Sequence, residues 1–129
     1  MAVFVSPLLR EPGRRWRLEN VRSGAVLAEH VQGAFDSSTR RKGLLGKETL
    51  ADAALVIAPC NLVHTFFMRF AIDTVFVDRE GMVVRVRHGV RPNRVSGAWG
   101  AFATIEVAAG HAERAGVQPG DQLVLTPAA

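Results

Sequence analysis

The four residues Asp78-Arg79-Glu80-Gly81 do more than any other stretch to limit what this chain can fold into. They separate two short apolar-rich runs, Thr74 to Val77 and Met82 to Arg87. A glycine closing so short a connection supplies the positive φ that a tight hairpin requires, so the two runs are expected to pair antiparallel. Other segments repeat this logic. Trp16, Leu18 and Val21 lead through Ser23-Gly24 to Ala25-Val26-Leu27, which reads as a second hairpin. Ala54-Leu55-Val56-Ile57 reads as a buried strand stopped by Pro59, and Phe102 to Val107 as a further strand. Gln118-Pro119-Gly120-Asp121 suits a type II turn into a last strand, Gln122 to Leu125.

Between these strands the pattern is less regular. Val63 to Phe70 alternates, with His64, Phe66, Met68 and Phe70 on one side and Val63, Thr65, Phe67 and Arg69 on the other, so a strand buried on both faces is expected. Cys60 and Asn61 fall at the turn before it. Asp36-Ser37-Ser38 is a helix-start cluster for a short basic helix from Thr39 to Lys42, ended by Gly43 or Gly46, with a second helical turn over Lys47 to Asp52. Gly110 to Gly116 predicts a single helical turn, and Pro92 to Gly100 a loop. Residues 1–13 contain two prolines and mixed polarity and are expected to form a loosely specified lead-in. Six or more short strands with so little helix exclude a parallel α/β fold. They predict a compact, β-rich α+β domain, with an antiparallel or mixed, barrel-like sheet and one or two short helices.

At 129 residues, with 48% hydrophobic and 22% charged residues, the chain reads as one domain, 1–129, able to build its own core. Composition of this kind argues against intrinsic disorder. One cysteine, Cys60, cannot form an internal disulfide, which makes the cytoplasm the expected compartment. The opening residues lack a basic region ahead of their apolar ones, and no apolar stretch approaches the roughly 20 residues that cross a bilayer, so neither a secretion signal nor a membrane span is expected. The formal charge of +4 is distributed unevenly. From Gly81 to Thr104 the chain carries Arg85, Arg87, His88, Arg91 and Arg94 and no acidic residue. Strict alternation puts Met82, Val84 and Val86 on one side of their strand and Val83, Arg85 and Arg87 on the other, so Arg85 and Arg87 should project together.

Several of these segments also resemble domain-of-unknown-function family 192, a group of small prokaryotic proteins. Thr39-Arg40 with Gly43-Leu44-Leu45-Gly46 is similar to that family's R-x-x-G-L-M element, with Leu45 in place of the usual Met. Phe66-Phe67-Met68 with Ile72-Asp73-Thr74-Val75-Phe76-Val77-Asp78 resembles its W-M-x-x-x-x-I-x-L-D-I-x-F-x-D element. Glu106 near Gly110, and Gly116 with Gly120-Asp121, are similar to its closing L-E-x-x-x-G and G-x-x-x-G-D elements, so the resemblance spans about residues 21–125. It implies a compact β-rich fold and no established activity.

Candidate chemistry is sparse. Cys60, His64 and Asp73 are the residue types of a nucleophile, a base and an orienting carboxylate. An extended Cys60 to His64 segment would nonetheless hold the first two roughly 13 Å apart, beyond hydrogen-bond reach. A buried, hydrophobe-like cysteine is the plainer reading. One thiolate and one imidazole do not make a metal site, and no cofactor motif is present. Gly43-Leu-Leu-Gly46 beside Lys47 lacks the spacing and the Ser or Thr of a phosphate loop and reads as helix termination. Asp73 sits in an apolar run, where a charge needs a partner: Arg40, Arg69 or a backbone cap.

The sequence therefore points first to a non-catalytic binding domain, with a polar site near Arg40, His64 and Asp73 for a small anion or a protein partner. One alternative is a small enzyme using Cys60 or His64. The other is a weak nucleic-acid binder through Arg85, Arg87, Arg91 and Arg94, disfavoured because aromatic stacking platforms are missing.

Overall fold

The computed structural model describes residues 3–36, 52–66 and 68–128. Ten strands and two short helices lie within them. In chain order they are α1 (Ser6–Arg10), β1 (Trp16–Asn20), β2 (Val26–Ala28), β3 (His30–Ala34), β4 (Ala53–Ile57), β5 (Leu62–His64), β6 (Ile72–Val77), β7 (Val83–Val90), β8 (Val95–Gly97), β9 (Ala103–Ala108), α2 (His111–Arg114) and β10 (Leu123–Pro127). The β-rich α+β class expected from the sequence is what forms. Among the described residues, however, the strands build three open pieces and no closed barrel. These are a five-stranded sheet ordered β3-β4-β9-β6-β7, a three-stranded sheet ordered β10-β1-β2, and a ribbon of β5 and β8. Only β3 and β4 run parallel.

The five-stranded sheet is the middle layer, and its two faces bury two separate apolar clusters. On one face Val56, Val75, Val77, Ile105 and Val107 meet Trp16, Leu18 and Leu123 of the three-stranded sheet, together with both helices. On the other face Leu55, Ile57, Ile72 and Phe76 are covered by Val63 of the ribbon and by Met68. Burial on both sides explains why β6 is apolar almost throughout, with all six of its residues buried. Asp73 and Thr74 are the polar exceptions, and each has hydrogen-bond partners.

The hairpin at Asp78–Gly81 forms as expected, stabilised by its own aspartate. Asp78 Oδ1 accepts the N–H groups of Glu80 and Met82, both at 2.9 Å, while Gly81 takes φ +89° with no room for a Cβ beside Leu123 O and Phe4. The β1–β2 hairpin also forms, as does the turn at Gln118, where Asp121 N–H donates to Gln118 O at 3.1 Å.

Four expectations require correction. Residues 1–13 are not merely a loose lead-in, because α1 forms there with Pro7 in its first turn, and Phe4, Val5 and Leu8 enter the core. The strand expected over Val63 to Phe70 shrinks to Leu62–His64, and Phe66 is exposed. The Pro92 to Gly100 loop contains β8, whose pairing with β5 makes the ribbon. Finally, β7 does not alternate simply. It is bulged at Val84, where Val77 faces Val83 and Phe76 faces Arg85, and again near His88 and Gly89. The first bulge reverses the phase, so Val83 enters the core with Val77 while Arg85 and Arg87 share the other face. The helix expected over Thr39 to Lys42, the turn over Lys47 to Asp52 except for Asp52 itself, and Arg40 lie outside the described residues.

Candidate interaction surface

Among the polar residues singled out in the sequence, Cys60, His64 and Asp73 lie within the described residues, and these three do not converge. Asp73 is fully buried on the face of β6 that it shares with Val75 and Val77. Its Oδ1 accepts the N–H of Gly89 at 2.8 Å, and its Oδ2 accepts those of Gly110 at 3.0 Å and Ala112 at 3.1 Å. The carboxylate thus ties the second β7 bulge to the start of α2. Of the partners the sequence suggested for Asp73, a backbone cap is present, and it leaves the carboxylate enclosed. His64 lies on the ribbon, which covers the opposite face of β6, and its exposed ring stacks on Phe66 with centroids 5.0 Å apart. The thiol of Cys60 donates to Leu62 O at 3.2 Å, and its carbonyl accepts the Thr104 hydroxyl at 3.1 Å. Among the described residues no three of His, Cys, Asp and Glu gather to hold a metal ion.

The ribbon is fastened to the sheet by polar contacts that the sequence did not announce. Thr74 and Ser96 join their hydroxyls at 2.9 Å. Buried Thr65 clamps the turn Arg91-Pro92-Asn93-Arg94: its hydroxyl donates to Arg91 O at 2.6 Å and accepts the N–H of Arg94 at 2.9 Å. Its backbone N–H and C=O bond Arg94 O and Asn93 N–H. Asn93 adopts φ +64° at the apex of this turn, one of the few non-glycine residue types that tolerate it. Four backbone and hydroxyl bonds to a single threonine make the turn stiff, so Arg91 and Arg94 project from a fixed base.

On this base lies an uncommon surface. Trp99 is 99% exposed, and Leu62, Val95 and Phe66 are exposed as well, all on or beside the ribbon. A cleft of about 360 Å³ is lined by Asn61, Leu62, Arg85, Gly97, Ala98 and Trp99. Arg85 is held there by donating to Gly97 O at 2.9 Å. Arg87, His88, Arg91 and Arg94 are exposed nearby in sequence, and among the described residues no carboxylate pairs with any of these four arginines. Apolar area this open, with Arg85 in its cleft, differs from the scattered single apolar residues of an ordinary surface.

Two carboxylates that the sequence marked only through the family resemblance and a turn, Asp121 and Glu106, are both buried. Asp121 is buried and accepts from Arg22 Nε at 2.6 Å, from Asn20 Nδ2 at 3.0 Å and from Gln118 N–H at 3.0 Å. Hydrogen bonding by Arg22 lowers its pKa to about 2, against the opposing effect of burial. Nothing local could reveal a pair separated by 99 residues. Glu106, on β9 between Leu55 and Thr74 of the adjoining strands, is 4% exposed, and burial pushes its carboxyl up to about 7. It lies in the face beneath the ribbon, beside Thr104.

Comparison with known proteins agrees with this fold. No curated protein matches the chain. Two solved structures are similar. One is a candidate transcription regulator from Sinorhizobium meliloti 1021, at 24% identity and a TM-score of 0.73, covering 87% of this chain and 92% of that one. The other is a protein of unknown function from Novosphingobium aromaticivorans DSM 12444, at 22% identity and a TM-score of 0.72, covering 84% and 82% respectively. At such identities the likeness is one of fold. A family model, DUF192, described as an uncharacterized ACR, matches residues 19–125, so the chain belongs to domain-of-unknown-function family 192.

Proposed function

We propose that the chain is a single non-catalytic binding domain that engages an acidic protein partner through the ribbon and the adjoining arginines. The observation that carries this reading is Trp99, almost wholly exposed above a cleft whose other wall holds Arg85. Tryptophan and arginine dominate the energetics of protein interfaces because they combine large contact area with directed hydrogen bonds. Four arginines that no carboxylate among the described residues pairs favour an anionic counterpart, and the Thr65 clamp supplies the rigidity that spares binding an ordering cost.

An enzymatic role finds less support. Asp73 is spent on three backbone N–H groups, and the Cys60 thiol is bonded to a carbonyl. His64 fits the proposed surface as a flat aromatic neighbour of Phe66. A small anion at the arginines, or nucleic acid stacked on Trp99, would use part of the same face, but Leu62 and Val95 suit a protein surface better than either. Among the described residues no helix is long and apolar enough to cross a membrane. A single cysteine and the absence of any required disulfide favour the cytoplasm as the place of action.

Trp99 itself reports the test, since the second tryptophan, Trp16, is buried. Polyglutamate, an oligo-dT strand and inorganic phosphate are titrated separately while tryptophan emission is followed. The reading expects polyglutamate to perturb Trp99, with loss of the effect in Arg85→Glu. Preferential response to oligo-dT with a steep salt dependence would move the site to nucleic acid. Response to phosphate alone would make it a small-anion site, and no response to any probe would overturn the proposal.

A further inference from the structure

The far side of the molecule carries a second feature that the ribbon does not explain. A groove of about 670 Å³ runs between α1 and the edge strand β10, lined by Val3, Phe4, Pro7, Trp16, Leu125 and neighbouring residues. Among the described residues it lies at an open sheet edge, because there β10 pairs as a strand only with β1. The register determines which groups face outward. Val21 N–H donates to Gln122 O and Ala128 N–H to Arg15 O, so Gln122, Val124, Thr126 and Ala128 turn their main-chain groups toward β1. Leu123, Leu125 and Pro127 must turn theirs away.

The outward groups of Leu123 are already occupied. Its N–H donates to Gly81 O at 3.0 Å, and its carbonyl accepts Gln122 Nε2 at 2.9 Å. Beside it Met82 bridges Gln122, so the start of β7 begins a strand pairing along β10 and then diverges. Leu125 comes next, and among the described residues nothing meets its N–H or C=O. An unpaired strand edge next to an apolar trough, walled by a helix, presents main-chain hydrogen bonding and side-chain pockets together. Ser6, Pro7 and Arg10 of α1 form the wall opposite the strand, while Val3, Phe4 and Trp16 supply most of the apolar lining and Glu11 and Glu80 add polar groups.

We propose that this groove binds an extended peptide segment that adds to β10 as an antiparallel or parallel strand, pairing with Leu125 and placing alternate aliphatic side chains over Phe4, Pro7 and Trp16. The volume suits a few residues, within the range of ordinary ligand pockets. The site is independent of the ribbon: it lies on a different sheet and shares none of the ribbon's residues.

The probe is a mixed set of blocked hexapeptides with aliphatic and polar residues in alternation, added to the full chain. Amide hydrogen exchange at Leu125 is expected to slow by about tenfold or more on binding, as an open N–H becomes a ladder bond. Leu125→Pro removes that donor while leaving the β1 ladder bonds of Val124 and Thr126, and it should abolish binding. Where that variant fails to fold, Ser6→Trp, which fills the groove from the helix side, should abolish it instead, and Leu125→Val should retain it. Unchanged exchange at Leu125 across the whole peptide set overturns the inference, as does binding that perturbs only Trp99.

Discussion

Replacing Glu106 by glutamine should remove most of the fall in stability that this protein undergoes as pH rises from acid to neutral. In the folded chain the carboxyl lies between Leu55 and Thr74 on neighbouring strands, and burial raises its pKa from 4.5 to about 7. The folded state therefore keeps a proton that the unfolded chain gives up. Stability from the neutral carboxyl is complete below about pH 4.5 and is lost progressively as pH climbs to about 7, where the carboxylate must form in a poorly hydrated place. At about 1.4 kcal/mol for each tenfold change, the interval corresponds to about 3 kcal/mol. Urea unfolding of wild type and Glu106→Gln, followed by far-UV circular dichroism at pH 4.5, 6 and 8, measures it. The stability difference between the two proteins should shift in favour of the variant by about 3 kcal/mol over this range. Parallel curves would refute the reasoning.

Asp121 should act with the opposite sign. Its lowered pKa contributes stability present above about pH 4 and lost as pH falls toward 2. Asp121→Ala should also cost about 1–3 kcal/mol for each buried group it strands, the Asn20 amide and the Gln118 N–H, measurable in the same urea experiment at pH 5. Asp73→Ala, which orphans three backbone N–H groups, should cost about 3 kcal/mol or more while leaving the emission response of Trp99 to polyglutamate unchanged wherever the variant folds. Gly81→Ala should destabilise by more than about 1 kcal/mol, because φ is +89° and a Cβ would lie 2.7 Å from Leu123 O; a thermal scan showing no change would contradict the turn geometry.

The features legible in the sequence were those whose causes are local. Asp78 and Gly81 build their hairpin from side-chain and backbone preferences three residues apart, and the β1–β2 hairpin and the turn at Gln118 are of the same kind. Alternation failed where it was interrupted. The bulge at Val84 moves Val83 to the opposite face from Arg85, and no periodicity could show that. Val63 to Phe70 alternates convincingly, yet the chain leaves its strand after His64 because Thr65 is taken by the Arg91–Arg94 turn, a partner more than 25 residues away. Pro7 in the first turn of α1 was a helix-start signal available in the sequence and obscured by the mixed polarity around it.

The candidate site divides the same way. The acid-free run of arginines was visible as charge, whereas the open ribbon that gives it an apolar centre depends on tertiary contacts. Asp73 drew attention as a carboxylate in an apolar run. Its role emerges only when Gly89, Gly110 and Ala112 are brought to it by the β7 bulge and α2.

The most direct measurement of the binding claim compares three proteins, wild type, Trp99→Ala and the Arg85→Glu, Arg91→Glu pair, in isothermal titration with polyglutamate at low salt. Because both sites are exposed, all three should unfold at nearly the same temperature. The account predicts saturable binding by the wild type, weakened at least tenfold, or about 1.4 kcal/mol, in each variant. Equal binding by all three proteins would contradict it.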